Sequence, residues 1–491
     1  MEKEYFLSLD EGTSSTKAIV WDKNCNHLGI GQNNFSQIFP EPGLVEHDPE
    51  EIWKFQKKSM DDALSSAGID YGSIISIGIA NQRETTIIWD KNTGIPLYNA
   101  IVWQDRRTKK ITDSLMDQKD MIKEKTGLIC DPYFSASKIR WIIDNRLRNH
   151  RIEDLKFGTV DSWLLWKLTS GKIHATDYTN ASRTMLFNIK TLDWDEEILE
   201  LFHIPKGMLP DVYPSTHIYG YTDASVTKNE IPISSISGDQ NAAFFGQAVF
   251  SYGQAKNTYG TGSFLMANTG DKIKNINNLI TTIGYSLDRN KTIYAIEGSV
   301  FIAGEVIQWL KNGLNFPDDN NEIEELAGNV KDNGGLYFVP AFTGLGAPYW
   351  EPAARGLIIG ITRGTTPSHI ARSALESIAY QSNDIIECIR SQGGIQITDL
   401  RVDGGASVNN FLMQFQSDIS NVNVRRAPIK ETTSLGTCYL SGITMNEWTQ
   451  NEVEKMWKEE KIFHPRLQDD KRKELYGSWK KAVERSMHWT A

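Results

Sequence analysis

Apolar residues recur in two rhythms along this chain. Short β-branched runs such as "YFLSLD", "KAIVWD", "SIISIGIA" and "ETTIIWD" have strand length and are bounded by turn residues. Between them, "DPEEIWKFQKKSMDDALSSAG" carries Ile52, Trp53, Gln56, Met60, Ala63, Leu64 and Ala67 at helical spacing. Asp48 suits the N-cap of that helix and Pro49 its first turn. Glu51 has capping-box spacing, and Gly68 suits the stop. Strands then alternate with helices, which predicts an α/β architecture.

The texture repeats further on. "IPISSISGDQNAAFFGQAV" is a strand, a Gly-Asp turn and an Ala-rich helix. "AKNTYGTGSFLMANTG" is again strand, Gly-Thr-Gly turn, strand, and matches "LSLDEGTSSTKAIVWD" near the start in kind. Two halves with a hydroxyl-bearing turn apiece suggest a duplicated domain with a cleft between the copies. A chain of 491 residues also exceeds one compact core. We therefore expect two domains, residues 1–250 and 251–491. "TDLRVDGGASVNNFLMQFQSDI" predicts a strand ending at Gly404-Gly405 and a helix from about Asn409.

Composition narrows the class. The formal net charge is −10, which argues against a nucleic-acid scaffold and favours a soluble protein. The start lacks a basic segment followed by an apolar one, and the long uncharged run Asn333–Trp350 is broken by Gly and Pro. Neither a signal peptide nor membrane insertion is expected. Cys25, Cys130, Cys388 and Cys438 form no CxxC pair and read as reduced thiols of a cytoplasmic protein. The histidines form no HExxH or close cluster, so no zinc site is expected.

Four stretches could carry chemistry. The first turn gathers Gly12, Thr13, Ser14, Ser15 and Thr16 between Asp10 and Lys17. It could offer hydroxyls, N–H groups and a cation to a phosphate, and a carboxylate to its metal. It also reads as a plain polar hairpin tip. No P-loop, protein-kinase set or complete dinucleotide fingerprint is present, so any phosphate would sit on the paired turns. "NQRETTI" places Arg83 beside Glu84, a donor next to an acceptor, which suits a small polyol or forms a surface ion pair. Neighbours on a strand face opposite ways, so the chain must bend for both to reach one ligand. "AIVWQDRRT" brings Trp103, Asp105, Arg106 and Arg107, and "DPYFSASKIRWI" brings Tyr133. Asp239 in "SGDQ" stands where a helix N-cap or a catalytic carboxylate belongs.

Together these segments resemble the FGGY carbohydrate kinase family, from the opening strand to about residue 445. "YFSASKIRWI" resembles one family signature and "GLIIGITRGTTPSHIARSALES" the other. "PGLVEHDPEEIW", "NQRETT", "YNAIVWQDRRT", "TDYTNASRTMLFN", "PAFTGLGAPYW" and "VDGGASVNNFLMQFQSD" are similar to its glycerol kinase subgroup. The resemblance implies two actin-like, ribonuclease H-like α/β domains closing on ATP, Mg²⁺ and glycerol, in a homo-oligomer. By similarity, Thr13, Ser14, Ser15 and Lys17 handle ATP phosphates and Asp10 helps hold Mg²⁺. Thr261 and Gly262 belong to the second phosphate loop. Gly304, Gln308, Gly405 and Asn409 match further nucleotide contacts. Arg83, Glu84, Tyr133, Asp239 and Gln240 match polyol contacts, Trp103 and Phe264 its apolar walls, and Asp239 the general base.

The chain departs from the family pattern at two positions. Glu11 and Lys17 stand where the family commonly has Gln and Arg. Glu11 places a negative charge near a triphosphate, which is unfavourable unless it faces Mg²⁺ or solvent. Two rival readings remain at this stage. One is a related kinase acting on a ketose or sugar acid. The other is a catalytically silent ATP-dependent sensor or filament protein.

Overall fold

The structure, a computed structural model, describes residues 3–490. Two sheets dominate it. The first is built from β1 (Tyr5–Glu11), β2 (Ser15–Trp21), β3 (His27–Asn34), β4 (Ile74–Asn81), β5 (Thr216–Tyr221) and β6 (Pro232–Gly238). Its order is β5-β6-β4-β1-β2-β3. β2 runs antiparallel to both β1 and β3, while β4 and β6 extend the sheet in parallel with β1. β5 closes that edge antiparallel to β6.

The second sheet repeats the plan. Its strands are β7 (Gln254–Tyr259), β8 (Ser263–Asn268), β9 (Ile280–Ser286), β10 (Thr292–Val300), β11 (Asp399–Asp403), β12 (Val424–Arg426) and β13 (Lys461–Phe463). Read from β10 the order is β10-β8-β7-β11-β12-β13, with β9 added outside β10. β7, β8 and β10 form the antiparallel meander, β11 and β12 are the parallel strands, and β13 returns antiparallel. The duplication suggested by two similar turns thus extends to strand order and direction. Each hydroxyl-bearing turn is the first hairpin of its sheet.

Local chemistry explains the elements that border the site. Helix α1 (Pro49–Ala67) starts at Asp48, whose side chain accepts from the Glu50 N–H, and ends at Gly68 with φ 69°. The expected capping box is absent. Glu51 instead accepts from the Ser36 N–H at 3.0 Å, tying α1 to the chain after β3. The apolar stripe Ile52, Met60, Ala63 and Leu64 is buried with Leu7, Val20 and Ile79 of the first sheet. Helix α2 (Ser135–Arg146) follows the loop carrying Tyr133. Helix α3 (Asp239–Gly246) follows β6, helix α4 (Gly304–Leu314) follows β10, and the long helix α5 (Pro367–Gly393) packs in the core of the second sheet. Helix α6 (Asn410–Ser420) follows β11.

One element crosses between the halves. Helix α7 (Thr432–Thr444) comes late in the chain yet lies on the first sheet. Leu435, Cys438, Tyr439 and Leu440 share one core with Phe6, Ile19, Trp21 and Ile75. Ser441 Oγ lies 2.8 Å from Ser235 Oγ of β6. Gly436 makes the close approach to α3 possible, because a Cβ there would lie 1.8 Å from the Ala242 carbonyl oxygen. Among the described residues, no helix is long and apolar enough to cross a membrane.

Candidate active site

The first turn is a tight hairpin end. The Gly12 N–H donates to the Ser15 carbonyl at 2.9 Å. Asp10 and Lys17 face each other as a cross-strand pair at its base. Ser14 is exposed, and Thr13 and Ser15 are half-buried. The Trp103 indole N–H donates to Thr13 Oγ1 at 3.0 Å, so this turn is fastened directly to an expected polyol wall. Lys17 Nζ lies 3.8 Å from Glu431 Oε1, just before α7. Burial lifts the Asp10 carboxyl to about 6; Lys17 opposes that, and Asp239 and Glu431 add to it.

Beyond β4 the backbone bends sharply. Glu84 has φ 62°, a left-handed conformation that costs a residue with a Cβ about 1 kcal/mol or more. That bend lets Arg83 and Glu84 serve one place, as the sequence requires. Both are buried. Gly238 lets the Arg83 stem pass, since a Cβ there would lie 2.6 Å from Arg83 Cδ. Arg83 Nε is 3.4 Å from Asp239 Oδ1. Trp103 stands edge-on to Tyr133 with ring centres 5.6 Å apart, and 6.5 Å from Phe264 of β8. The Tyr133 hydroxyl and Glu84 Oε2 have no hydrogen-bond partner among the described residues.

Asp239 is not the helix cap. Gly238 occupies that position, and Asp239 is the first residue of α3. Its Oδ1 accepts from the adjacent Gln240 N–H at 2.7 Å and Oδ2 from the Gln240 amide at 3.2 Å. The carboxylate is 29% exposed, far more open than its neighbours Arg83 and Glu84. Of the run Trp103–Arg107, only Trp103 reaches this place. Asp105 pairs with Arg107 at 2.7 Å, Arg107 with Glu46 at 2.6 Å, and Arg106 with Asp131 at 2.5 Å.

The second turn belongs to the other sheet. The Gly260 N–H donates to the Gly262 carbonyl, and the Gly304 N–H donates to the Gly260 carbonyl at 2.9 Å. The N-terminus of α4 therefore abuts the turn, a favourable place for anionic oxygens. A Cβ on Gly404 would lie 2.5 Å from the Tyr259 carbonyl oxygen, so the Gly404–Gly405 bend also packs here. Gly405 and Gln308 are exposed, and Gln308 lies one turn into α4. Asn409 is buried, and its Oδ1 caps α6 by accepting from the Leu412 N–H at 2.8 Å. That oxygen thus holds the start of α6.

Comparison with known proteins decides the family. Residues 5–246 match the N-terminal domain of the FGGY family of carbohydrate kinases, and residues 255–445 match its C-terminal domain. The chain belongs to the FGGY family of carbohydrate kinases. It is 55% identical over 495 residues to glycerol kinase 2 of Sulfolobus acidocaldarius, covering 100% of this chain and 99% of that protein. It is 54% identical to glycerol kinase 2 of Thermotoga maritima, covering 99% of each. The crystal structure of Plasmodium falciparum glycerol kinase with ADP superposes with a TM-score of 0.93 at 39% identity, covering 99% of this chain and 98% of that one.

This FGGY kinase carries site residues that the sequence reading missed. Arg183 Nε donates to Glu84 Oε1 at 2.5 Å. Glu297 of β10 receives Arg83 Nη1 at 2.7 Å and Nη2 at 2.8 Å. Burial alone would raise the Glu297 carboxyl, but Arg183 and Arg83 outweigh it and hold it at about 2. Lys256 of β7 is fully buried and donates to Gln240 Oε1 at 2.5 Å and Thr258 Oγ1 at 2.9 Å. Burial lowers its ammonium to about 8, against the pull of Asp403 and Asp239. Lys138 is buried too, and its ammonium holds the Pro132 and Tyr133 carbonyls at 2.6 and 2.7 Å. It fixes the loop that presents Tyr133.

The structure corrects the expectation about Glu11. Its side chain does not face solvent. It is fully buried against Gln82, whose amide donates to both oxygens at 3.2 Å. Burial drives its carboxyl well above the usual range despite the Gln82 hydrogen bonds, with Asp10 and Asp239 adding to the shift.

Proposed function

We propose that this FGGY kinase transfers the γ-phosphoryl group of ATP to glycerol, giving ADP and sn-glycerol 3-phosphate. The observation that carries this reading is the identity of 55% to glycerol kinases along the whole chain. The site chemistry agrees with a small polyol. Open polar atoms on Glu84 and Tyr133 stand beside the Trp103 and Phe264 rings, which suit the carbon edge of a compact triol better than a larger sugar.

Arg83 and Glu84 hold two hydroxyls, Tyr133 contributes its phenol, and Gln240 contributes its amide. The third hydroxyl points toward the γ-phosphate, with Asp239 accepting its proton. Thr13, Ser14, Ser15 and Lys17 on one side, and Thr261 and Gly262 on the other, hold the triphosphate. Gly304, Gln308, Gly405 and Asn409 line the rest of the nucleotide. Phosphoryl transfer proceeds through a loose transition state, so alignment and electrostatics outweigh base strength. Closure of the two halves excludes water as a competing nucleophile.

Asp10 fits a magnesium ion. Its carboxyl lies in a patch of excess negative charge, raised by burial and by Asp239 and Glu431. Among the described residues no cluster of three or more metal-binding side chains forms a complete cage. Mg²⁺ commonly takes one or two carboxylates and completes its shell with water and phosphate oxygens. Bound at Asp10, it would neutralise charge on the triphosphate.

The direct test is ADP release in a coupled assay across glycerol, dihydroxyacetone, xylulose and gluconate. Release that depends on glycerol, with the other acceptors far slower, is the expected result. Preference for xylulose or gluconate would make this a sugar or sugar-acid kinase, and no acceptor dependence would favour a silent ATPase. Lys17 provides a second check. Lys17→Ala should raise the ATP KM by about 10- to 100-fold, the loss of one charged hydrogen bond. Lys17→Arg should keep ATP use, because the planar fork also suits phosphate oxygens. Glycerol affinity measured without nucleotide should stay unchanged in both; a large loss there would move Lys17 out of the phosphate site.

A further inference from the structure

The polyol anchors are not free side chains. Arg83 gives Nη1 to Glu297 Oε2 and Asn241 Oδ1, Nη2 to Glu297 Oε1, and sets Nε 3.4 Å from Asp239. Arg183 gives Nε to Glu84 and approaches the same two Glu297 oxygens at 3.2 and 3.4 Å. Its guanidinium also lies 5.7 Å from the centre of the Tyr133 ring and 5.3 Å from that of Phe134. Five charged groups therefore form one chain: Asp239, Arg83, Glu297, Arg183 and Glu84. Arg83, Glu84, Arg183 and Glu297 are each 3% exposed or less. Four members come from the first half of the sequence. Glu297 alone comes from β10 of the second sheet.

We propose that Glu297 is a positioning residue that sets acceptor specificity. It touches neither hydroxyl itself. By gripping both guanidiniums it fixes the one Nη2 hydrogen left on Arg83 and, through Arg183, the one free oxygen of Glu84. The polyol then meets a single donor–acceptor pattern at fixed spacing. β10 has a second duty that ties this pattern to the nucleotide. A Cβ on Gly262 would lie 2.4 Å from the carbonyl oxygen of Val300, so the strand bearing Glu297 also seats the second phosphate turn. Acceptor recognition and triphosphate seating are thus built on the same strand. The inference rests on the glycerol kinase reading of this site.

The test compares glycerol with propane-1,2-diol in wild-type protein, Glu297→Gln and Glu297→Asp. Gln keeps the shape but can no longer accept on both sides. Asp keeps the charge but is one methylene too short to span both forks, and it serves where the Gln variant does not fold. Each variant should raise the glycerol KM by about 10- to 100-fold, the range for losing a charged hydrogen bond, with ATP KM within about twofold. The decisive readout is the ratio of kcat/KM for the two acceptors, which does not depend on how much protein is folded. It should fall by at least about tenfold in either variant, because mobile anchors tolerate a missing hydroxyl. A ratio equal to that of the wild type, with both acceptors losing activity together, would reduce Glu297 to a structural residue. Wild-type protein that ignores glycerol would instead overturn the reading of the site and leave the ion-pair geometry untouched.

Discussion

Asp239→Asn should lower kcat by about 10² to 10⁴-fold, the span expected when a general base is lost. The geometry makes this substitution clean. Gly238, not Asp239, caps α3, so the helix start survives. The amide oxygen of Asn can still accept the Gln240 N–H, and Arg83 keeps its two bonds to Glu297. The cost to stability is confined to one acidic charge in the first turn of a helix, about 0.3–1 kcal/mol, a shift of about 2 °C or less in a chain this long. Glycerol should still bind, since the amide oxygen accepts a hydrogen bond. The measurement is kcat, glycerol Kd and melting temperature on one preparation. A well-folded Asn variant with near-normal kcat would remove Asp239 from proton transfer.

Propane-1,2-diol should be a poorer substrate than glycerol by about 10⁴-fold in kcat/KM. The diol can still present a terminal hydroxyl to the phosphate, but it lacks one of the two that the anchors hold. The open oxygen of Glu84 and the remaining Nη2 hydrogen of Arg83 would then stay unpaired beside aromatic walls. Groups of this kind carry a desolvation cost that a hydroxyl relieves and a methyl does not. Turnover of the two acceptors at similar rates would show that Arg83 and Glu84 do not anchor the polyol. The two experiments fail separately, because the first probes chemistry and the second recognition.

Most of the fold and part of the site could be read from residue order. Both hairpin turns, the helix from Pro49 and the strand–turn–helix at Asp239 follow from local spacing and turn chemistry. So does the need for a bend at Arg83-Glu84, which the positive φ of Glu84 supplies. The family of the chain was legible in its motifs. Long-range pairing was not. Arg183 and Glu297 lie far from Arg83 in sequence, and no local pattern links them. A weaker signal was present: Glu297 stands in "TIYAIEGSV", an otherwise uncharged strand, and a lone buried charge must find a partner. Lys256, in the otherwise uncharged strand "QAKNTY", carries the same mark. Glu11 could not be placed from the sequence, because its burial against Gln82, which raises its carboxyl, is set by residues 71 positions away. The Glu51 capping box failed because Ser36, distant in sequence, competed for the same carboxylate.

The crossing of α7 has a consequence for how the chain is made. Phe6, Ile19, Trp21 and Ile75 leave the ribosome early, but much of what covers them, Leu435, Cys438, Tyr439, Leu440, Trp448 and Val453, emerges late. Until then the nascent first half carries a partly uncovered apolar face, and the late segment settles onto α3 through Gly436, whose missing side chain allows the close approach. The late segment therefore acts as a seal on the early one. A chain cut short before residue 432 lacks these residues and leaves Phe6, Ile19, Trp21 and Ile75 without part of their cover, so the burden of protecting them during synthesis falls on whatever meets the nascent chain.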